Sequence, residues 1–319
     1  MPTERVLLQA EGFGVDYDST PILADIALSV HAGEVVALIG ASGSGKSALL
    51  RALLGLSPAT AQTRGLLRFA QADGGLRERR DITPLRGATI GFVPQDPQTA
   101  LSAHRTVAQH LDEVLATHAP GSTRPMRAEQ AAALLTSVGL TGELLARYPH
   151  ALSGGQGQRV LVALALAGNP AILLADEPTS ALDPRATHEL LALLQAQARV
   201  QRRGVLIVSH DLSATAHAAD RVAVLAGGRL VEIGATAAVL SQPQHPLTAA
   251  LMAACPPLTP PRPARLAEAP RPAPCARVAR ACAFAATCGR AQSVCAETPP
   301  AWRTIAGREV ACHWPLGAA

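Results

Sequence analysis

"GASGSGKS", residues 40–47, is the stretch whose reading decides the fold. It obeys the spacing G-x-x-x-x-G-K-S. An apolar run, "EVVALIG", leads into it, and an apolar-periodic helix, "KSALLRALLGL", leaves it and stops at Gly55. Strand, glycine loop and helix in that order form a phosphate cradle. The glycines Gly40, Gly43 and Gly45 let the backbone curl round a phosphate group. The loop amides, Ser42 among them, and the helix N-terminus turn positive dipoles toward it. Lys46 supplies a point charge for β- and γ-phosphates, and Ser47 offers a hydroxyl to Mg²⁺. An ordinary glycine-rich turn would carry no such partners downstream.

Those partners are present. "AILLADEP" (171–178) is an apolar strand ending in two acids. Beside a phosphate loop, Asp176 suits Mg²⁺ and Glu177 suits an attacking water, as general base or positioner. "GVLIVSH" puts His210 at another strand end, where it suits a hydrogen bond to the γ-phosphate or the water. "FVPQDP" offers Gln95, long enough to reach the metal and the water. "ALSGGQGQRV" (151–160) opens an apolar helix with an S-x-x-Q capping box, Ser153 to Gln156. Capping does not require Gly154 and Gly155. Bare backbone there lets a phosphate approach a helix N-terminus closely. The chain thus owns two phosphate-binding devices but one lysine and one set of metal ligands. That imbalance points to a two-fold, head-to-tail partnership, with one subunit's lysine loop facing the other's Ser-Gly-Gly corner.

The remaining sequence bounds the class. The 319 residues suffice for a large α/β domain with an appendage, and 48% hydrophobic residues can build a core. Basic residues exceed acidic ones by only four and aromatics are 3%, without the dense basic face or stacking rings of a nucleic-acid binder. The N-terminus lacks a secretory h-region, and no apolar run reaches the length of a spanning helix. Residues 96–165 read as mostly helical, and "RVAVLAGGRLVEIG" (221–234) as a hairpin turning at Gly227-Gly228. Residues 256–274 hold eight prolines and read as an extended linker. All six cysteines lie in the last quarter, a clustering that suggests metal or Fe–S ligation.

Together these motifs resemble the nucleotide-binding subunit of an ABC transporter over residues 1–240. Gly40–Ser47 is similar to Walker A, Gln95 to the Q-loop, and Leu152–Gln156 to the LSGGQ signature. Asp176 and Glu177 are similar to Walker B and its catalytic glutamate, "SALD" (180–183) to the D-loop, and His210 to the switch histidine. Tyr17 stands where the family's aromatic residue stacks on adenine. "FVPQDPQTALSAHRTV", "RYPHALSGGQGQR" and "SQPQHPLTAALMAACP" narrow the resemblance to dipeptide, oligopeptide and nickel importer ATPases.

The resemblance implies an α/β P-loop NTPase core of RecA-like type, with an antiparallel β subdomain and a helical signature subdomain. It implies a nucleotide-binding domain over residues 1–244, a Pro-rich linker over 245–274 and a cysteine-containing extension over 275–319. It implies ATP with Mg²⁺ held through Ser47, Gln95 and Asp176, and catalysis by Glu177 and His210. The implied partners are an identical or paralogous ATPase subunit, two transmembrane permeases and an extracytoplasmic solute-binding protein, at the cytoplasmic face of the membrane and without nucleic acid. Members of the group can bind a [4Fe–4S] cluster through tail cysteines. The matching set here is Cys282, Cys288, Cys295 and Cys312, spaced C-x5-C-x6-C-x16-C, for a [4Fe–4S] cluster, for Zn²⁺ or for neither. The same nucleotide motifs also fit a soluble ABC ATPase of a non-transport assembly, such as carbon–phosphorus lyase, and the transported solute stays open.

Overall fold

The computed structural model describes residues 5–71, 74–210, 215, 217–254 and 281–317. Its elements, in chain order, are β1 (Val6–Tyr17), β2 (Thr20–His31), β3 (Val35–Ile39), α1 (Lys46–Leu53), β4 (Ala61–Ala70), β5 (Leu76–Glu78) and β6 (Ile90–Val93). Then come α2 (Pro97–Ala100), α3 (Val107–His118), α4 (Arg124–Ser137), α5 (Gly154–Leu166), β7 (Ile172–Asp176), α6 (Pro184–Gln201) and β8 (Gly204–Ser209). The chain continues with β9 (Arg221–Ala226), β10 (Arg229–Ala235), α7 (Thr236–Ser241), α8 (Pro246–Ala253), α9 (Ser293–Glu297), β11 (Trp302–Ile305) and β12 (Arg308–Ala311). They fall into two compact units. One takes residues up to Leu8, Val30–Val35 and Ala70–Val208, and the other Gln9–Ser29, Val36–Phe69 and residues from Ser209 onward.

In the first unit, β6, β7 and β8 run parallel, with Ile90 opposite Ile172 and Asp176 opposite Val208. Ile172–Ala175 and all of β8 are buried, as parallel strands covered on both faces must be. Helices α3, α4 and α5 pack on one another, so the helical character expected for residues 96–165 is observed. Helix α5 crosses β6 so closely that a side chain at Gly91 would collide with the Ala165 carbonyl. Thr106 and Gln109 form a capping box at the start of α3. Among the described residues, no helix is long and apolar enough to cross a membrane.

In the second unit, β3 pairs in parallel with β9, Val36 opposite Arg221 and Ile39 opposite Val224. Strands β9 and β10 form the expected hairpin. Gly227 and Gly228 both take positive φ, +48° and +78°, which is the turn that matches strand twist. A bulge breaks the register between Leu230 and Glu232. A separate sheet carries β2, β1 and β4 in that order.

The C-terminal region departs from expectation in two ways. The segment read as linker from residue 245 begins instead as helix α8. Pro246 occupies its first turn, where a missing N–H costs nothing, and the His245 side chain accepts the Leu247 N–H. Leu247 and Thr248 are buried, which holds the helix in place. Residues 255–274, with the eight prolines read as linker and with Cys255, lie outside the described residues, as does Cys275.

The extension also joins the sheet. Its strands β11 and β12 form a hairpin over Ala306 and Gly307, φ +48° and +75°, and β12 pairs antiparallel with β10, Glu232 opposite Val310. Strand β12 thereby covers backbone groups that β10 would otherwise expose as an edge.

Candidate functional site: a lysine loop, a serine-glycine corner and a thiol group

Strand β3 is buried along its whole length, and it fixes where the glycine loop begins. Space there is tight. A side chain at Gly40 would collide with the Leu225 carbonyl, so this position needs glycine for packing alone. Gly43 and Gly45 take φ +75° and +108°, in the left-handed region that glycine reaches without strain. Gly45 is the N-cap of α1 and supplies no side chain to its first amides. Ser44 N–H donates to the Ala41 carbonyl, and the Ser44 carbonyl accepts from Gly228 N–H, which ties the loop to the β9–β10 turn. Lys46 is buried, and its Nζ donates to the Gly40 and Ala41 carbonyls at 2.8 and 3.1 Å. The ammonium is thus held at the loop. Ser42 is exposed and Ser47 half-buried.

Tyr17 ends β1 in the same unit. It sits beside a two-residue turn whose Asp18 and Ser19 both have positive φ, and its phenolic oxygen is buried without a hydrogen bond. His210 follows β8 and is exposed.

The other expected residues lie in the first unit. Asp176 closes β7, and Glu177 follows with φ +44°, an uncommon conformation for a side chain of that size and a form of strain that collects at functional sites. Its N–H is taken by the Val208 carbonyl at 2.9 Å, which holds the backbone in that turn. Gln95 Nε2 donates to Glu177 Oε2 at 3.1 Å and to Ser180 Oγ at 3.4 Å. Residues 82 positions apart therefore meet. Ser180 is a contact that the sequence reading missed. It stands inside "SALD", quoted for its family likeness, but no local signal assigned its hydroxyl.

The signature corner has the capping box read from sequence. Gln156 N–H donates to Ser153 Oγ at 3.3 Å, and Ser153 N–H donates to Gln156 Oε1 at 2.9 Å. Ser153 and Gly154 are exposed, at the mouth of a cavity of about 380 Å³ that Asp183 and Arg159 also line. A Cβ at Gly154 would find its nearest neighbours at 3.7 Å, and one at Gly155 would lie 3.4 Å from Ala186 Cβ. Neither glycine has positive φ. Among the described residues, nothing demands either glycine. Gly157 differs, since a Cβ there would come within 3.0 Å of Pro97 Cβ, in the segment that carries Gln95. That glycine is explained by packing.

The tail thiols form a third group. Cys282, Cys288, Cys295 and Cys312 are all free, with Cys295 and Cys312 buried. Cys282 N–H donates to the Cys295 carbonyl at 2.9 Å, joining two of the four backbones. Burial raises the Cys282 thiol above its ordinary value. Burial likewise pushes Cys312 up to about 11, and the charges of the other three thiols add to the rise. Nearby backbone N–H groups, those of Phe284 and Ala285 at Cys282 and that of Trp314 at Cys312, oppose the rise in part. His313 is engaged elsewhere, with Nε2 3.0 Å from the Thr298 carbonyl. Among the described residues, no group of three or more His, Cys, Asp or Glu is placed to hold a metal ion.

Known proteins bear on all three regions. The ABC transporter family model matches residues 23–180, and a second model, described as oligopeptide/dipeptide transporter, C-terminal region, matches residues 231–295. The chain is 34% identical over 320 residues to the dipeptide transport ATP-binding protein DppD of Escherichia coli K12, covering 97% of each. It is 36% identical over 303 residues to the oligopeptide transport ATP-binding protein OppD of Mycobacterium tuberculosis, covering 94% of this chain and 49% of that one. The chain therefore spans about half the length of the mycobacterial relative. The dimeric post-hydrolysis structure of the ATP-binding cassette MJ0796, bound to ADP and phosphate, superposes with a TM-score of 0.62 at 28% identity, over 72% of this chain and 99% of that one. The chain belongs to the ABC transporter ATP-binding family, in the branch of the oligopeptide and dipeptide transport ATP-binding proteins.

Proposed function

We propose that the chain is the ATP-hydrolysing subunit of an importer, and that it drives uptake of peptides through permeases it does not itself contain. The observation that carries the reading is the pair Gly154-Gly155, exposed and half-buried respectively, capped, and free of any packing need among the described residues. Their bareness makes sense if a phosphate from elsewhere has to approach the helix N-terminus. The match of residues 231–295 to a transporter C-terminal region supports import over a non-transport assembly.

In this reading Gly40–Ser47 cradles the triphosphate. Lys46, held by two loop carbonyls, exchanges them for β- and γ-phosphate oxygens. Tyr17 stacks on the adenine. Mg²⁺, taken by Ser47, Gln95 and Asp176, neutralises charge on the phosphates. Glu177 orients a water for in-line attack on the γ-phosphorus and His210 steadies it. A bond from the water oxygen forms as the bond to the β-bridging oxygen breaks, releasing ADP and phosphate. Gln95 bonded to Glu177 keeps that carboxylate aimed until nucleotide replaces the contact.

Ser153–Gln156 of a second subunit, identical or paralogous, closes over the same γ-phosphate, so ATP joins two subunits and its hydrolysis lets them part. The partners beyond the ATPase pair are two permeases and an extracytoplasmic solute-binding protein, with this chain at the cytoplasmic face of the membrane. The tail cysteines Cys282, Cys288, Cys295 and Cys312 hold a [4Fe–4S] cluster. Four free thiols within one short extension, two of them buried, are what this reading rests on.

The test is a Glu177→Gln protein given Mg-ATP, alone or with its paralogous ATPase. It is expected to elute as a stable dimer in size-exclusion chromatography, while wild type returns to monomer after turnover. A monomer in both mixtures contradicts the shared site.

A further inference from the structure

Arg64 projects from β4, the neighbour of β1 in the small sheet. Its guanidinium lies against the backbone of β1 at Gly14. A Cβ added there would sit 2.7 Å from Arg64 Nε and 2.9 Å from its Cζ. Gly14 does not take positive φ, so this position needs the space and not the backbone freedom of glycine. The two arms of the fork reach different strands. Nη1 donates to Asp16 Oδ2 in β1, and Nη2 donates to the Leu23 carbonyl in β2 at 3.2 Å.

Both strands lead to nucleotide-binding elements of the same unit. Asp16 directly precedes Tyr17. Leu23 faces the glycine loop, its Cδ2 3.0 Å from where a Cβ on Gly45 would be. The next residue, Ala24, donates its N–H to the Gly228 carbonyl at 2.9 Å, and Gly228 N–H donates in turn to the Ser44 carbonyl at 2.8 Å. One side chain therefore ties the strand that ends in Tyr17 to the strand that borders the loop. The Arg64 side chain is 46% exposed, and an ion pair that open to water adds little stability. What it adds is geometry, because a planar fork fixes two acceptors at once. Asp16 depends on that fork, since its other oxygen, Oδ1, is buried without a hydrogen bond. With Arg64 removed, the carboxylate loses the cation that faces it and turns toward water, and the end of β1 moves with it.

We infer that Arg64 is a positioning residue for nucleotide binding, setting the end of β1 so that Tyr17 faces the base while the glycine loop holds the phosphates. This rests on the reading of Tyr17 and Gly40–Ser47 given under Proposed function. Arg64 acts through Tyr17.

The test measures Mg-ADP binding to the full chain by isothermal titration calorimetry, since ADP carries the base and is not hydrolysed. Wild type, Tyr17→Ala, Arg64→Ala and the double variant are compared. Each single variant is expected to bind about tenfold more weakly, the loss of one base stack. The double variant is expected to bind no more weakly than Tyr17→Ala, because both substitutions remove the same contact. Gly14→Ala keeps every charge and evicts the guanidinium, and it is expected to weaken binding as Arg64→Ala does. Where Arg64→Ala fails to fold, Gly14→Ala decides in its place. A folded Arg64→Ala protein that binds like wild type, or single losses that multiply in the double variant, overturns the inference and leaves the Tyr17 reading intact. Wild-type affinity in Tyr17→Ala overturns that reading, and the inference falls with it.

Discussion

Three glycines on one helix separate packing from ligand binding. Gly154 and Gly155 have room for a methyl group, and Gly157 lies against Pro97. Gly154→Ala and Gly155→Ala are expected to leave the melting temperature unchanged or slightly raised, since alanine favours a helix over glycine by up to about 1 kcal/mol. Their ATP turnover is expected to fall at least tenfold, because in the proposed shared site the added methyl would occupy the path of the phosphate. Gly157→Ala has the opposite profile: a lowered melting temperature, by a shift equivalent to about 1 kcal/mol, from the contact with Pro97. Thermal melts and steady-state phosphate release on the three variants distinguish the patterns, and a destabilised Gly155→Ala protein would sink the ligand explanation. Lys46→Ala is expected to lose turnover altogether, as its ammonium is the charge committed to that loop. These residues were legible in the sequence because their spacing is local: a loop, a cap and a strand end each fit within about ten residues. The Gln95–Glu177–Ser180 contact was not, since nothing in a linear pattern tells which distant hydroxyl a glutamine will find.

At the scale of elements, α8 and the tail hairpin carry what the sequence hid. Proline and small apolar residues after Gln244 read as the start of a linker, but burial of Leu247 and Thr248 and the Glu232 carboxylate turn them into a docked helix. Such long-range capping leaves no periodic signature. The short strands β11 and β12 escaped for a similar reason, as they gain their stability by pairing with β10 and not from their own alternation. By contrast, β3, β7, β8 and the β9–β10 hairpin were readable from continuous apolar runs and a Gly-Gly turn.

Glu232→Leu leaves two buried backbone donors unmatched and is expected to cost about 3 kcal/mol in denaturant unfolding. Glu232→Gln, which keeps one acceptor, is expected to cost less, and equal, negligible losses would remove Glu232 from its anchoring role. His245 adds a pH dependence. Burial lowers its pKa from 6.5 to about 4, so the unfolded chain binds a proton the folded chain refuses between those values. Its contribution is complete above pH 6.5 and is lost as pH falls toward 4, by about 3 kcal/mol in all. Melting curves at pH 7 and pH 5 are expected to differ more for wild type than for His245→Asn, and identical pH slopes would refute the buried neutral ring.

For the whole molecule, the account turns on division of labour between two copies. Each chain has a lysine loop and a serine-glycine corner, and among the described residues there is no internal reason for the bareness of the corner. The tail, tied to the sheet through β12 and to Gln244 through Leu316 and Gly317, is part of the folded body, so its truncation before residue 281 is expected to lower the melting temperature as well as remove the thiols. The central claim is most directly tested by a structure of the Glu177→Gln protein, with its ATPase partner and Mg-ATP. The account predicts Ser153 Oγ of one subunit within about 3 Å of a γ-phosphate oxygen whose triphosphate is gripped by Lys46 of the other. A nucleotide held by Lys46 with the opposite Ser153 turned to solvent, far from every phosphorus atom, would contradict it.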